Sequence, residues 1–182
     1  MNKLLILFVT AISLVACNNE TKTTAQEIDS TVAHSKYYLE VIKKAGGDFS
    51  GFNLGDKVKV AQEVLGEQNL VEKEADYLFY KFEETYSNAD YEIFFKDGRL
   101  NEILLDAYIY DETGNFDRAA SAVLFNEIKD DFLKRFGNKY METSDEKNEI
   151  LYWSKDKKNI QLIHEVSKAA VHVYLDKSEF EE

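Results

Sequence analysis

Three histidines (His34, His164, His172) and two adjacent acid pairs (Glu83-Glu84, Asp130-Asp131) are the first places to look for chemistry in this chain. A three-residue turn at Ser167-Lys168-Ala169 sets His164 opposite His172 as two metal ligands. A two-residue turn at Ser167-Lys168 instead aligns Ile160, Leu162, His164 and Val166 with Ala169, Val171, Val173 and Leu175. The second register keeps one strand face apolar and sends the two histidines to opposite faces, so burial favours it. No carboxylate at ligand spacing completes a metal site, and no cofactor is expected. Adjacent acids point to opposite faces of a strand, or diverge by ~100° on a helix, so both pairs read as solvated faces rather than acid–base couples. The chain has no Gly-x-Ser-x-Gly elbow, phosphate loop or loop of EF-hand spacing. Trp153 beside Tyr152 reads as core packing, with ligand stacking the alternative. No catalytic residue is expected.

Composition narrows the classes further. The 182 residues carry 34 Asp+Glu against 22 Lys+Arg, a formal charge of −12 that argues against nucleic acid. An apolar share of 45% argues against disorder. A single Cys excludes an internal disulfide and a Cys-based zinc site. That residue, Cys17, follows a basic start (Met1-Asn2-Lys3) and an apolar run from Leu4 to Ala16. Thirteen helical residues span about 20 Å, short of a ~30 Å hydrocarbon core, so 1–16 reads as a cleaved signal segment. Leu14-Val15-Ala16-Cys17 resembles a bacterial lipobox, which makes the Cys17 thiol the expected site of diacylglycerol attachment. With Lys3 removed, 21 basic residues face 34 acidic ones and the formal charge becomes −13. The lipid must then hold the body at the membrane without electrostatic help. Asn18 is not the Asp of the simplest inner-membrane retention signal, so the outer membrane is the expected address.

Positioning falls to the elements that follow. Residues 17–30 are polar and aperiodic and read as a lipidated tether, and 31–182 as one globular body. A first helix is predicted over Thr31 to Ala45, stopped by Gly46-Gly47, and a second from an N-cap at Gly55-Asp56 to Gly66. Strands are predicted at Tyr77–Glu83, Tyr91–Lys96 and Leu100–Tyr110, the last two joined by a tight Asp97-Gly98 turn. The strongest helix covers about 116–136, with Leu124, Phe125, Ile128, Phe132 and Phe136 on one stripe. Three strands follow at Glu149–Ser154, Asn159–Val166 and Ala170–Asp176. The order reads as helix–strand–strand–strand twice (about 50–110 and 116–177), preceded by an extra helix. The alternative is one domain whose halves look alike by chance. The expected class is α+β: an antiparallel sheet with helices packed on one face in a tandem αβββ pattern.

Leu54-Gly55-Asp56-Lys57, Val60, Val64-Leu65-Gly66, Tyr80 and Ile93-Phe94-Phe95-Lys96-Asp97-Gly98-Arg99-Leu100 resemble, in that order, the SmpA/OmlA (BamE-like) lipoproteins. The resemblance covers residues 50–110. The Pro expected after the Leu-Gly pair is replaced by Glu67, and the second half has no Gly at its helix start. What the resemblance implies is an αβββ unit. Doubled in tandem, such a unit is similar to the β-lactamase inhibitory protein fold, which binds a partner through a concave, aromatic-rich sheet.

Strand alternation then assigns the faces. Leu78, Tyr80, Phe82, Ile93, Phe95, Ile103, Leu105, Ala107 and Ile109 form the core set. Tyr77, Phe79, Phe94, Tyr108 and Tyr110 fall on the opposite face, among Lys81, Glu92, Lys96, Glu102, Leu104 and Asp106. Aromatic anchors among charges suit protein recognition, unless the first helix or the other half of the chain covers them. The expected role is that of a membrane-tethered envelope protein with a protein partner, within an outer-membrane complex. The alternatives are an inhibitor or immunity protein acting on a toxin or hydrolase, and a carrier of a small apolar ligand.

Overall fold

Apolar–polar alternation between Tyr77 and Ile109 demands long strands with one face hidden, and the chain builds them side by side. A computed structural model describes residues 33–177. The segment 1–16, Cys17, the tether 17–30 and the first residues of the helix expected from Thr31 lie outside the described residues. Within them, α1 (Lys36–Val41) and α2 (Val58–Leu65) precede β1 (Leu70–Lys73), β2 (Tyr77–Glu83), β3 (Ser87–Lys96) and β4 (Arg99–Ile109). Then come α3 (Arg118–Phe136), β5 (Met141–Ser144), β6 (Asn148–Lys155), β7 (Lys158–Glu165), a 3₁₀ turn (Val166–Lys168) and β8 (Ala170–Lys177). All eight strands form one antiparallel sheet in the order β1-β2-β3-β4-β8-β7-β6-β5.

This corrects the expected class. The chain is dominated by one continuous eight-stranded sheet with three α-helices, two of them short, and not by a tandem αβββ pattern of helices packed on a sheet. The two strands left out of the expectation, β1 and β5, are its outer edges. Leu-Val-Glu-Lys and Met-Glu-Thr-Ser bury almost nothing, so they carry no alternation from which a strand can be read. The helices are shorter than their periodicity implied. Ile42 turns extended and ends α1 well before the Gly pair, and α2 is capped by Lys57 rather than Asp56, without a side-chain bond.

The core lies on one side of the sheet. Helix α3 runs over β4, β7 and β8, and its stripe of Leu124, Phe125, Ile128, Phe132 and Phe136 is buried. Phe132 meets Trp153 edge-on at 5.7 Å, and the Trp153 indole donates to the Gly137 carbonyl at 3.0 Å, so Trp153 is core. Helix α1 is clamped to the same side by polar bonds. The Ser35 amide and hydroxyl donate to the Glu127 carboxylate at 2.7 and 2.5 Å, and the Tyr38 hydroxyl donates to Asp131. The Arg135 guanidinium donates to the carbonyls of Gly46 and Gly47 at 3.0 and 2.9 Å. Gly47 has φ +66, and a Cβ there would sit 2.2 Å from the Phe52 carbonyl oxygen, so the loop requires glycine.

Two hairpin turns show how local chemistry sets stability. Asp97-Gly98 has both central φ positive (53 and 69), as its sequence demands. The β6–β7 turn makes the same backbone with Asp156 and Lys157 (φ 53 and 61). A non-glycine residue there costs roughly 1–2 kcal/mol, while Gly costs about 0.4–1 kcal/mol in unfolded-state entropy. Lys157→Gly is therefore expected to stabilise the protein by about 0.5–1 kcal/mol in urea unfolding, and an unchanged or lower midpoint contradicts this account of the turn.

Candidate binding face

The helices leave the other face of the sheet without a described element over it, and strand register arranges its side chains in rows. One row runs Tyr77, Phe94, Glu102, Asp176 and Asn159 across β2, β3, β4, β8 and β7. The next runs Phe79, Glu92, Leu104 and Tyr174, and continues through Gln161 to Tyr152. A third runs Lys81, Asp90, Asp106, His172, Ile163 and Ile150. Most of these side chains are half-buried, because each is covered only by its neighbours in the layer.

All five residues singled out in the sequence lie on this face, in two groups. Tyr77 and Phe94 pack with ring centres 4.9 Å apart, and Phe79 stands beside them on β2. Tyr108 meets His172 edge-on at 6.3 Å, and Tyr110 stacks on Phe116 at 5.5 Å. Glu102, opposite Phe94, and Tyr108 are six residues apart on β4, which separates the groups by roughly 20 Å. The sequence reading did not place Tyr152, Tyr174, His172 or Asp90 on this face. The first three alternate with core residues on β6 and β8 as clearly as those on β2. Asp90 was hidden because the expected strand starts at Tyr91, whereas β3 starts at Ser87.

Charge is the second property of the face. Asp90 stands directly across from Asp106, and Glu102 from Asp176. Asp106 accepts from His172 Nδ1 at 2.5 Å, Asp176 accepts from the Asn159 amide at 2.9 Å, and Glu92 accepts from the Tyr77 hydroxyl at 3.1 Å. His172 Nε2 lies 3.7 Å from Glu165. Asp90 has one buried oxygen with no hydrogen-bond partner, since Lys81 on the same row pairs with Glu83 at 3.2 Å. Burial first, and then neighbouring acids against the Lys81 charge, holds the Asp90 carboxyl above its ordinary range. Burial, then Asp176 and Glu92, does the same at Glu102. Burial and the bond to Glu92 push the Tyr77 phenol up to about 12.

The other candidates lie elsewhere. The observed β7–β8 register pairs His164 with Val171 and Leu162 with Val173, so His164 and His172 point to opposite faces. His164 is buried beneath α3, 3.0 Å from the Ser121 hydroxyl and stacked on Phe125, and burial lowers its pKa. His34 stacks on Tyr38 at 4.0 Å. Glu84 pairs with Lys43 and Asp131 with Arg135, while Glu83 and Asp130 are exposed, so neither acid pair acts as a couple. Among the described residues, no group of three His, Cys, Asp or Glu is placed to hold a metal ion. No helix among them is long and apolar enough to cross a membrane. The gap lined by Tyr38, Phe49, Asp131 and Phe132 measures about 10 Å³, room for one water rather than an apolar ligand.

No protein-family model matches the chain, and no curated protein matches it. It is similar to two solved structures at the level of partial shape. One is a DUF4309 family protein (YjgB) from Bacillus subtilis, at 12% identity and a TM-score of 0.40, covering 78% of this chain and 90% of that one. The other is a cysteine-rich secretory protein from Staphylococcus aureus, at 14% identity and a TM-score of 0.33, covering 78% of this chain. The chain spans 49% of the length of that second protein. Neither likeness carries an argument about function, and neither points to the SmpA/OmlA group.

The two acid couples generate a pH-dependent expectation. A carboxyl with a raised folded-state pKa binds its proton more tightly folded than unfolded, so stability falls as pH rises through that window and the loss is complete at neutral pH. Like charges directly across strands cost ~0.2–1 kcal/mol per pair. Asp90→Asn combined with Glu102→Gln should therefore raise stability at pH 7 by ~1 kcal/mol, about 2–4 °C in midpoint. The gain should shrink as pH falls towards the ordinary carboxylate range. Thermal melts at both ends of that range test it, and a variant less stable at pH 7 refutes it.

Proposed function

We propose that this chain is a lipid-anchored protein of the bacterial envelope, held at Cys17 in the outer membrane, whose open sheet face binds another protein. One observation carries the reading. A face bearing Tyr77, Phe79, Phe94, Tyr108, Tyr110 and Tyr174 has no described element packed over it, although water alone gives no reason to gather so many rings. Rings set among hydrogen-bonded polar groups are the composition of recognition surfaces, in which a few large anchors carry most of the affinity. The reading assigns no catalytic residue and no cofactor. The lipobox at Leu14-Val15-Ala16-Cys17 supports the anchor, and an acidic body needs one to stay near anionic lipid.

The carboxylates among the rings favour a second reading, an inhibitor or immunity protein that covers a basic toxin or hydrolase. Stoichiometric inhibition of one such enzyme separates it from a partner in an envelope complex. Two measurements test the main reading. Cys17→Ser should move the protein from the membrane pellet to the soluble fraction and remove the fatty-acid mass. In-cell cross-linking should trap a partner that Tyr108→Ala with Tyr110→Ala loses, while the thermal midpoint changes little. A comparable loss of folding would instead make those rings part of the core.

A further inference from the structure

Net charge alone sets this body against an anionic membrane, but its charges are not spread evenly along the strands. At one end of the sheet Lys155 on β6, Lys158 on β7 and Lys177 on β8 stand directly across from one another. Lys157 lies in the turn between β6 and β7, and Lys139, just before β5, borders the same shallow hollow as Ser154. Direct opposition of like charges weakens a sheet, and the fold answers only part of this row. Lys158 pairs with Asp48 at 2.5 Å, and Lys155 donates to the Arg135 carbonyl near the end of α3 at 3.2 Å. Lys139, Lys157 and Lys177 are exposed and have no partner among the described residues. The acids beside them are Asp156 in the turn and Asp176, which accepts from Asn159. On β3 and β4 the rim continues with Lys96 and Arg99, set among Asp97 and Glu102, and Glu74 and Asp76 lie at the far edge, in the β1–β2 turn.

The other end of the same strands has the opposite sign. Asp145 and Glu146 lead into β6 with Lys147, Glu165 closes β7 paired with Lys168, and Glu83 and Glu84 mark the β2–β3 turn. The ends of β6, Asn148 and Lys155, stand roughly 23 Å apart. A Debye length of ~8 Å at physiological salt is much shorter, so a surface that touches the lysines is screened from those acids. Distribution then outweighs total charge. The β6–β7 turn gives an independent sign of the same thing. Asp97-Gly98 puts glycine at its second positive-φ position, whereas the β6–β7 turn of the same backbone keeps Lys157 there, at φ 61. A charged side chain kept where glycine is less strained marks a position held for its charge. We propose that this lysine corner is where the body rests on an anionic lipid surface, with the acidic end turned away. The inference rests on reading Cys17 as a lipid anchor. Residues 17–30 can extend roughly 45 Å and allow any side of the body to meet the bilayer, so its own charges must choose the side. The aromatic face, which runs along the strands between the two ends, then stands clear of the membrane.

Because Cys17 is the one cysteine of the chain and its thiol is acylated under this reading, a fluorophore can be placed at will. The acylated protein is labelled at Ser154→Cys or at Glu146→Cys and reconstituted in vesicles that carry a headgroup quencher. In phosphatidylglycerol the label at 154 should be quenched about threefold more than the label at 146. The difference should vanish in phosphatidylcholine and in high salt. Lys139→Glu with Lys157→Glu and Lys177→Glu should abolish it without lowering the thermal midpoint, while arginine at the same three positions should keep it. Equal quenching of the two labels in phosphatidylglycerol, or a difference that survives charge reversal, overturns the inference. The mature chain made with Cys17→Ser tests the corner without the anchor. At low salt it should sediment with phosphatidylglycerol vesicles and not with phosphatidylcholine, and failure to do so also overturns the inference. If the wild-type chain proves to carry no acyl group while the Cys17→Ser chain still gathers on phosphatidylglycerol, the anchor fails and the lysine corner stands.

Discussion

The pairing of β4 with β8 is the contact on which the rest of the molecule depends. It joins the first four strands to the last four through pairs distant in sequence, such as Asp106 and His172, 66 positions from one another. Closing a loop of that length costs entropy that only long-range burial can offset. Ile103, Leu105 and Ala107 on β4, with Leu175, Val173 and Val171 opposite them, supply it on the core side. The same register carries a consequence on the other side. Because side chains alternate with a period of two, fixing the apolar residues inward also fixes Glu102 against Asp176 and Asp106 against His172 outward. The acidic centre of the open face is thus locked in by the core.

One helix layer then decides which face stays open. Helix α3, at 19 residues, is long enough to lie over the middle of the sheet, and α1 adds only six more. Polar bonds add to the burial of Tyr38 and Val41 in keeping α1 there. Tyr38 donates to Asp131, Ser35 to Glu127, and the buried Tyr91 hydroxyl donates to the Val41 carbonyl at 2.7 Å. Buried polar groups of this kind are costly unless every partner is in place, so they fix where a short helix sits more sharply than apolar contact does. With the buried residues of α1, α2 and α3 all committed to the core, the described chain has no helix left to cover the other face.

How much of this was legible follows from where burial constrains residue choice. The strands β2 and β4 and the stripe of α3 could be read because one face of each must be apolar, and Tyr77–Glu83 was placed to the residue. The edges β1 and β5 could not, because an edge strand whose side chains all face water needs no pattern. That omission changed the fold class, since four strands per half in one sheet is a different architecture from a tandem αβββ unit. The five aromatic residues were legible as a face, but their division into two groups was not, because alternation reports which side a residue takes and not how far apart two residues stand. The Asp90–Asp106 couple escaped for a related reason. It needs both the true start of β3 at Ser87 and the β3–β4 register, and neither is a local property.

A sheet of this size tolerates a face that is poor in stabilising contacts because its other face is so well filled. Phe52, Leu78, Ile93, Phe125 and Phe132 are all fully buried, and each apolar side chain so buried contributes on the order of 1.5–3 kcal/mol. Against that, two like-charge couples at ~0.2–1 kcal/mol each are a small cost. The row Lys81, Asp90, Asp106 and His172 also flanks one couple with a lysine and a histidine, which limits that cost. Electrostatic groups arranged this way act on encounter rate and on partner choice before they act on affinity, since like-charged competitors are excluded at a distance. The rings at the two ends of β4 then supply the short-range contacts that charge alone does not.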